Sequence, residues 1–456
     1  MLIIISDIHI GDGTCGQSVS SGAFRLFAAR LKELAFNASW HANGSYHPLE
    51  SIDILLLGDI LEVQHTTLWL DKSVGEPGYV RPWTDRQAPE FAAKIDAITQ
   101  AVLQHNAESI AILKALAQPG GLTLPPADSQ GKPDLKASDQ FPVQVRLHYM
   151  VGNHDWYYHL PGSAFDAIRH RIIEAFGLHN SDQLFPYELK ESVELQDLLS
   201  SYGVYAQHGD MFDPLNFDKS RGRDFPSLGD TFAVEILNRF PDEVARQMGN
   251  ELPPALIESL RELVNVRPIL ATPLWIYGQL RQNGISPALQ KKLKQLWDEM
   301  CNEFLAQPFV QKYDKPFKLD MVDGLELAIH LTNQVSFQTI DELVEWIRRK
   351  FGSEETTFAR NALKEEAFLH RTAQFIVYDH THRAEIVPLD TFPTANRLTS
   401  QIYLNSGTWH TYFDLAVCKP EEQKFVPYQV LTYLAFYKDG SRGGRRFETW
   451  SGAFSD

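Results

Sequence analysis

Residues 147–155 read Leu-His-Tyr-Met-Val-Gly-Asn-His-Asp, a short apolar run that ends abruptly in four residues able to turn, coordinate or carry protons. Runs this short, bounded by a turn signal, suit a buried strand, and the polar loop beyond a strand's carboxyl end is where open α/β sheets place their ligands. The same grammar recurs. Leu2–Ile5 precedes Asp7 and His9, Ile54–Leu57 precedes Gly58-Asp59, Val204–Ala206 precedes His208-Gly-Asp210, and Phe375–Tyr378 precedes Asp379-His-Thr-His382. Five loops of one kind are thereby predicted to converge at one edge of an α/β fold.

Between these runs the chain changes character. Ala88–Leu116 carries Phe91, Ile95, Ile98 and Val102 at helical spacing and predicts one long helix or two joined ones. Pro119–Gln140, with Pro119-Gly-Gly and Pro125-Pro126, reads as an extended surface loop, most simply a spacer. From Met211 to Thr372 helical patterns dominate, with hardly any strand-like alternation, as expected of an inserted helical unit. Ser286-Pro287 caps a stripe of Leu289, Leu293, Leu296, Trp297, Met300 and Phe304, and Thr339-Ile-Asp-Glu342 is a capping-box pattern before a further helix. After Arg383 short strands return at Ile402–Leu404 and Val430–Tyr437, with Asp439-Gly440 marking a hairpin turn. The division expected is a discontinuous core of 1–215 and 373–456 around a cap of 216–372.

The 456 residues are 44% apolar with 27 Phe, 16 Tyr and 9 Trp, which excludes wholesale disorder. A net charge of −16 is a poor match to a phosphate backbone and argues against non-specific nucleic-acid binding. Cys15, Cys301 and Cys418 are too dispersed for a disulfide framework or a cysteine zinc site. With neither a signal-like start nor a long apolar run, the expectation is a soluble, cytoplasmic protein without a transmembrane segment.

The candidate metal ligands are Asp7, His9, Asp59, Asn153, His208, His380 and His382, all oxygen or imidazole donors. Two cations held close together repel each other, and an anionic bridging carboxylate with neutral imidazoles offsets that repulsion. Asp59 is the natural bridge. Singly each motif is weak, but their order, each after an apolar run, resembles the calcineurin-like metallophosphoesterase superfamily over roughly 1–215 and 373–415.

That resemblance implies a two-sheet αββα sandwich flanked by helices, with the large helical insertion outside it. It implies that Asp7, His9 and His382 hold one divalent metal and Asn153, His208 and His380 the other, with Asp59 and a water or hydroxide shared. His154 matches the histidine that approaches the scissile phosphate and Asp155 the carboxylate that orients it. The two metals are expected to be Mn, with Fe or Zn also suited to this donor set. Where the family usually has Gly-His-x-His, Asp379 stands here; it either tolerates a left-handed turn or accepts an imidazole N–H.

The activity implied is hydrolysis of a small phosphorylated substrate, nucleotide-like or lipid-linked: a phosphodiester or pyrophosphate, or next a phosphomonoester. Protein serine/threonine phosphatases resemble Gly-Asp-x-x-Asp-Arg-Gly and Gly-Asn-His-Glu, which this chain lacks. Gly58-Asp-Ile-Leu-Glu62 and a helical insert are similar to the UDP-diacylglucosamine pyrophosphohydrolases. The rival from another class is a scaffold on the same fold that recruits a partner through the insertion. Outside the motifs, His410 follows a strand near the expected site, whereas His65 and His148 read as structural. Lys219, Arg221 and Arg223 could meet a substrate anion or form a solvated turn. Pro273–Tyr277 reads as packing between helices before it reads as a ligand pocket. Oligomeric state is not legible.

Overall fold

A computed structural model describes residues 1–181, 183–267, 269–313, 354–394, 397–415 and 424–453. Its strands are β1 (Leu2–Ile5), β2 (Ser51–Leu57), β3 (Thr123–Leu124), β4 (Phe141–Pro142), β5 (Gln144–Met150), β6 (Val204–Ala206) and β7 (Val266–Arg267). They continue as β8 (Phe375–Tyr378), β9 (Glu385–Thr394), β10 (Arg397–Asn405), β11 (Tyr412–Leu415), β12 (Phe425–Tyr428), β13 (Val430–Phe436) and β14 (Phe447–Ala453).

The first sheet runs β14-β13-β1-β2-β5, with β1, β2 and β5 parallel and β13 antiparallel to β1. The second runs β6-β8-β10-β9, with β6, β8 and β10 parallel. Side-chain alternation joins them, because successive residues of a strand face opposite ways. Leu2, Ile4, Leu55, Leu57 and Met150 pack with Val204, Ala206, Phe375, Val377 and Leu404 between the sheets. Ile3, Ile5, Ile54, Leu56 and Leu147 face the other way, into the apolar cluster formed with the core helices. Those helices are α1 (Ser21–Ala38), α2 (Pro89–His105), α3 (Ala107–Ala117) and α4 (Ser163–Phe176). The chain is thus a mixed α/β fold consistent with a helix-flanked sandwich.

The stretch 88–117 forms two helices, α2 and α3, broken at Asn106, whose amide donates to Gly11 O (2.7 Å) and Val102 O (2.8 Å). The segment after α3 is a loop held by the two-residue β3–β4 pair, by a bridge between Ala127 and Pro133, and by Tyr46, whose N donates to Gly131 O (2.8 Å) and whose Oη donates to Pro125 O (2.9 Å). Asp439-Gly440 lies in a turn, but the β13–β14 connection is longer than a tight hairpin and includes a short 3-10 segment, Arg442–Gly444.

Residues 228–311 are mainly helical, with α5 (Leu228–Phe232), a π-helical turn at Ala233–Asn238, α6 (Arg239–Met248), α7 (Pro254–Arg261), α8 (Thr272–Gln282) and α9 (Pro287–Leu305). Ser286 accepts a hydrogen bond from Leu289 N at the start of α9, so the cap acts where its sequence indicated. This unit has its own apolar cluster, yet it is not purely helical. β7 pairs with β11, and Phe413, Leu415 and Phe425 pack against the helical cluster. The boundary expected at 373 is therefore crossed by the later strands. The capping box at Thr339–Glu342 lies outside the described residues. Among the described residues, no helix is long and apolar enough to cross a membrane.

Candidate metal centre

Each of the five loops leaves the carboxyl end of a parallel strand: β1, β2 and β5 in one sheet, β6 and β8 in the other. Stacking the sheets brings these ends to one rim. The first two loops continue to pair beyond their strands, with Asp7 N donating to Gly58 O (3.1 Å) and His9 N to Asp59 O (2.9 Å). Asp379 N donates to His208 O (2.8 Å), and His380 N to Asp7 Oδ2 (3.2 Å) across the two sheets.

The backbone at this rim is strained. Asp7, His9, Asp59, His380 and His382 have φ of 47°, 48°, 52°, 69° and 64°. Side chains other than glycine seldom adopt such values, and where they do the surroundings must over-determine them. Two glycines make room for the convergence. A Cβ on Gly152 would lie 2.3 Å from Asp59 Oδ1, and one on Gly58 would lie 2.6 Å from His208 Nδ1.

Six of the seven expected ligands enter two atom groups joined by Asp59, and the seventh, Asn153, abuts the second. His9 Nε2 lies 3.0 Å from His382 Nε2, and Asp7 Oδ1 lies 3.3 Å from His382 Nε2 and 3.7 Å from His9 Nε2. Asp59 Oδ2 lies 3.1 Å from His208 Nε2, which is 3.2 Å from Asn153 Oδ1; Asp59, His208 and His380 offer ligand atoms within 4.8 Å of one another. Asp59 Oδ2 is also 3.9 Å from His9 Nε2, so its carboxylate stands between the groups. Donor atoms about 3 Å apart are what metal–ligand bonds of about 2.1 Å impose. Asp7 Oδ1 and Asp59 Oδ2 are buried and carry no hydrogen bond, although buried carboxylate oxygens are normally paired. The residues present fit divalent cations.

Hydrogen bonds on the far side of the rings turn the coordinating nitrogens inward. His208 Nδ1 donates to Leu57 O (3.1 Å), and His9 Nδ1 pairs with Glu62 Oε2 (3.0 Å), leaving each Nε2 toward the centre. His380 Nε2 meets Asp213 Oδ2 (3.1 Å), leaving Nδ1. Such outer partners fix tautomer and ring orientation. Electrostatics follow the same plan. Burial pushes the Asp7 and Asp59 carboxyls up, but the neighbouring His208 charge, with the other imidazoles, holds both well below the usual carboxylate range. Burial lowers His9, and its bonds to Asp7 and Glu62 outweigh this and raise it to about 10. Burial, against the Asp7 hydrogen bond and aided by the Arg267 charge, takes His382 down to about 3.

His154 sits at the centre, its N–H donating to Asp59 Oδ1 (2.8 Å) and its Nε2 3.9 Å from Asp59 Oδ2. Asp155 does not orient that ring. Its oxygens accept from Gly152 N (2.6 Å), Ile60 N (3.0 Å) and Tyr149 Oη (2.6 Å), which brace the second and third loops from behind. The carboxylate paired with His154 Nδ1, at 2.7 Å, is Glu62. Both readings of Asp379 are corrected as well. The left-handed residue is His380 rather than Asp379, and Asp379 Oδ1 accepts from Ser406 N (2.8 Å) and Ser406 Oγ (2.6 Å) instead of from an imidazole. Burial and the adjacent Asp7 charge push the Asp379 carboxyl up to about 7.

The sequence pointed less clearly to the surroundings. His410 lines a small hollow beside the centre together with His9, His154, His382, Asn265 and Arg267. His65, read as structural, also reaches it, with Nδ1 on Asn238 Oδ1 (3.1 Å) and its ring 5.2 Å from that of His154. His148 is structural, bound to Asp53 (3.0 Å). Of the three basic residues after the fourth loop, Arg223 pairs with Asp210 (2.8 Å), Arg221 lies over Phe309 and Tyr313, and Lys219 is exposed. Within Pro273–Tyr277, Trp275 packs on Phe413 and Phe425 and donates to Ser259 O (2.9 Å), as helix packing requires. Glu62 was within reach of the sequence, three residues beyond Asp59; Asp213, Asn265 and Arg267 carry no motif. No family model matches this chain, and no curated protein matches it.

Proposed function

We propose that this protein is a dinuclear-metal-dependent phosphoesterase that hydrolyses a small phosphodiester or pyrophosphate, or a phosphomonoester. One observation carries the reading. Two buried carboxylates, Asp7 and Asp59, turn unpartnered oxygens toward imidazole nitrogens, in a cluster assembled from five separate strand ends on a backbone held in rarely adopted conformations. Backbone strain and buried carboxylate oxygens without hydrogen bonds gather at functional sites, and a bound cation would supply the missing partner. The order of motifs, which resembles the calcineurin-like metallophosphoesterases, supports the same reading.

Asp7, His9 and His382 would hold one cation and Asn153, His208 and His380 the other, with Asp59 serving both. Bound divalent metals, Mn favoured and Fe or Zn also accommodated, would lower the pKa of a shared water and neutralise phosphoryl charge. The chain's own residues do the rest. Glu62 accepts a hydrogen bond from His154 Nδ1, so Nε2 is the nitrogen that faces the reacting group and, with the ring as imidazolium, gives its proton to the departing alkoxide. Arg267 of the inserted unit, whose NH2 is 3.4 Å from His382 Nδ1, adds the nearest guanidinium to the hollow and suits a phosphoryl oxygen. Three dispersed cysteines suit a reducing, cytoplasmic setting.

Purified protein supplied with Mn²⁺ should bind two metals per chain and hydrolyse an activated aryl phosphodiester or monoester. His154→Ala should lower turnover by about 10²-fold or more while metal content holds. Two bound metals without turnover of any activated ester would instead mark a scaffold, and no bound metal would remove the basis of the reading.

A further inference from the structure

A groove of about 450 Å³ opens beside the metal centre, between the loop after His9, the α2–α3 junction and α7 of the inserted unit. It is joined to the small hollow at the metal ligands, because Gly16, Gln17 and Ser18 line both. Asn265 reinforces the junction, donating to Glu262 of the groove (2.7 Å) and pairing with His410 of the hollow (2.7 Å). A substrate phosphate at the metals would therefore lead its remaining group into this groove.

The lining states what that group is. Val19 is its only aliphatic side chain, and it is buried, so an acyl chain finds nothing to cover it. The one aromatic ring in the lining, the imidazole of His105, lies against Gly13, and neither a phenyl nor an indole ring is present to stack a nucleobase. Glu108 is paired with Arg25, Glu258 with Arg261 (2.9 Å), and Glu262 accepts from Asn265 Nδ2 (2.7 Å), so the groove offers neither a free guanidinium for a second phosphate nor more than one unpaired carboxylate for a cation. What remains is hydroxyl, amide and carboxylate chemistry from Ser20, Ser21, Ser109, Gln17 and the glutamates, which matches a neutral group rich in hydroxyls.

We infer that the groove binds the alcohol portion of the substrate and that this portion is an uncharged polyol or sugar. The inference rests on the phosphoesterase reading for the position of the phosphate. It is tested by calorimetric binding to the Mn²⁺-loaded protein, a measurement that needs no turnover. The ligands are inorganic phosphate, propyl phosphate, phosphocholine and glucose 6-phosphate.

Glucose 6-phosphate should bind about tenfold tighter than propyl phosphate or phosphocholine, the increment of one or two well-formed hydrogen bonds. Gln17→Trp, at an exposed position shared by groove and hollow, should abolish that advantage while leaving affinity for inorganic phosphate. Glu258→Ala, also exposed and remote from the metals, should reduce the advantage by about threefold, as a second variant independent of the loop. Equal affinities, a preference for phosphocholine or propyl phosphate, or an advantage that survives Gln17→Trp overturns this assignment alone. Failure of all four to bind, inorganic phosphate included, overturns the phosphoesterase reading and this assignment with it.

Discussion

At Glu62 one carboxylate oxygen meets both His9 and His154, while the other accepts from Gln64 N (2.8 Å) and His65 N (2.9 Å). The residue ties the proposed metal ligand His9 to the proposed proton donor His154. Glu62→Gln keeps the shape but cannot accept equally from two ring N–H groups, and we expect activity to fall 10- to 100-fold with a matching loss of metal affinity, read by metal titration and steady-state assay. A second carboxylate acts on stability alone. Burial pushes Asp53 up, but hydrogen bonds from His148 and Arg146 outweigh it and bring it to about 2, below the ordinary 3.8. The unfolded chain therefore takes up the proton first. The stabilisation, about 2 kcal/mol, is complete above the unfolded value and is lost as pH falls through about 2, and denaturant melts of wild type and Asp53→Asn should converge there. The seven candidate ligands were legible because each follows its strand by two to four residues, where backbone direction alone delivers the side chain. Glu62 as partner of His154, and Asp213 as partner of His380, were not, since those pairs form only when separate loops meet.

Strands and long helices were read from periodicity, and the reading failed where an element is too short to show any. β7 has two residues, and its pairing with Phe413 and Asp414 depends on strand β11, far along the chain. The π-helical turn at Ala233–Asn238 was equally invisible, though it and the short helix before it aim three polar groups at the core. Asn238 Nδ2 donates to Gln64 O (2.7 Å), Asp230 at its amino side accepts from Gln64 Nε2 (2.9 Å), and Glu235 pairs with Arg81 (2.9 Å). Both members of the last pair are only 6% exposed. Removing one partner leaves a buried charge, so Glu235→Ala should destabilise by about 3 kcal/mol or more in chemical denaturation, with a larger loss than Arg30→Ala at an exposed pair.

The sandwich and the inserted unit meet at the site, so the proposed metals would bear on the stability of the molecule. Asp7 and Asp59 each hold a buried oxygen without a hydrogen bond, and cations bound only by the folded form would shift the folding equilibrium toward it. Chelation should lower the thermal midpoint by several degrees, and readdition of Mn²⁺ should restore it; an unchanged midpoint in scanning fluorimetry would contradict metal occupancy.

Strand β1, the element that presents Asp7 and His9, pairs on one side with β2 and on the other with β13, at Leu2↔Phe436. During translation that second neighbour is missing until about 430 further residues have left the ribosome, roughly 20 to 90 s at ordinary elongation rates. For that interval Leu2–Ile5 has an open hydrogen-bonding edge of aliphatic residues, the kind of edge that recruits foreign strands. Chaperone dependence during synthesis, and a soluble yield that falls when elongation is slowed and rises when holdases are supplied, follow from that one antiparallel pairing.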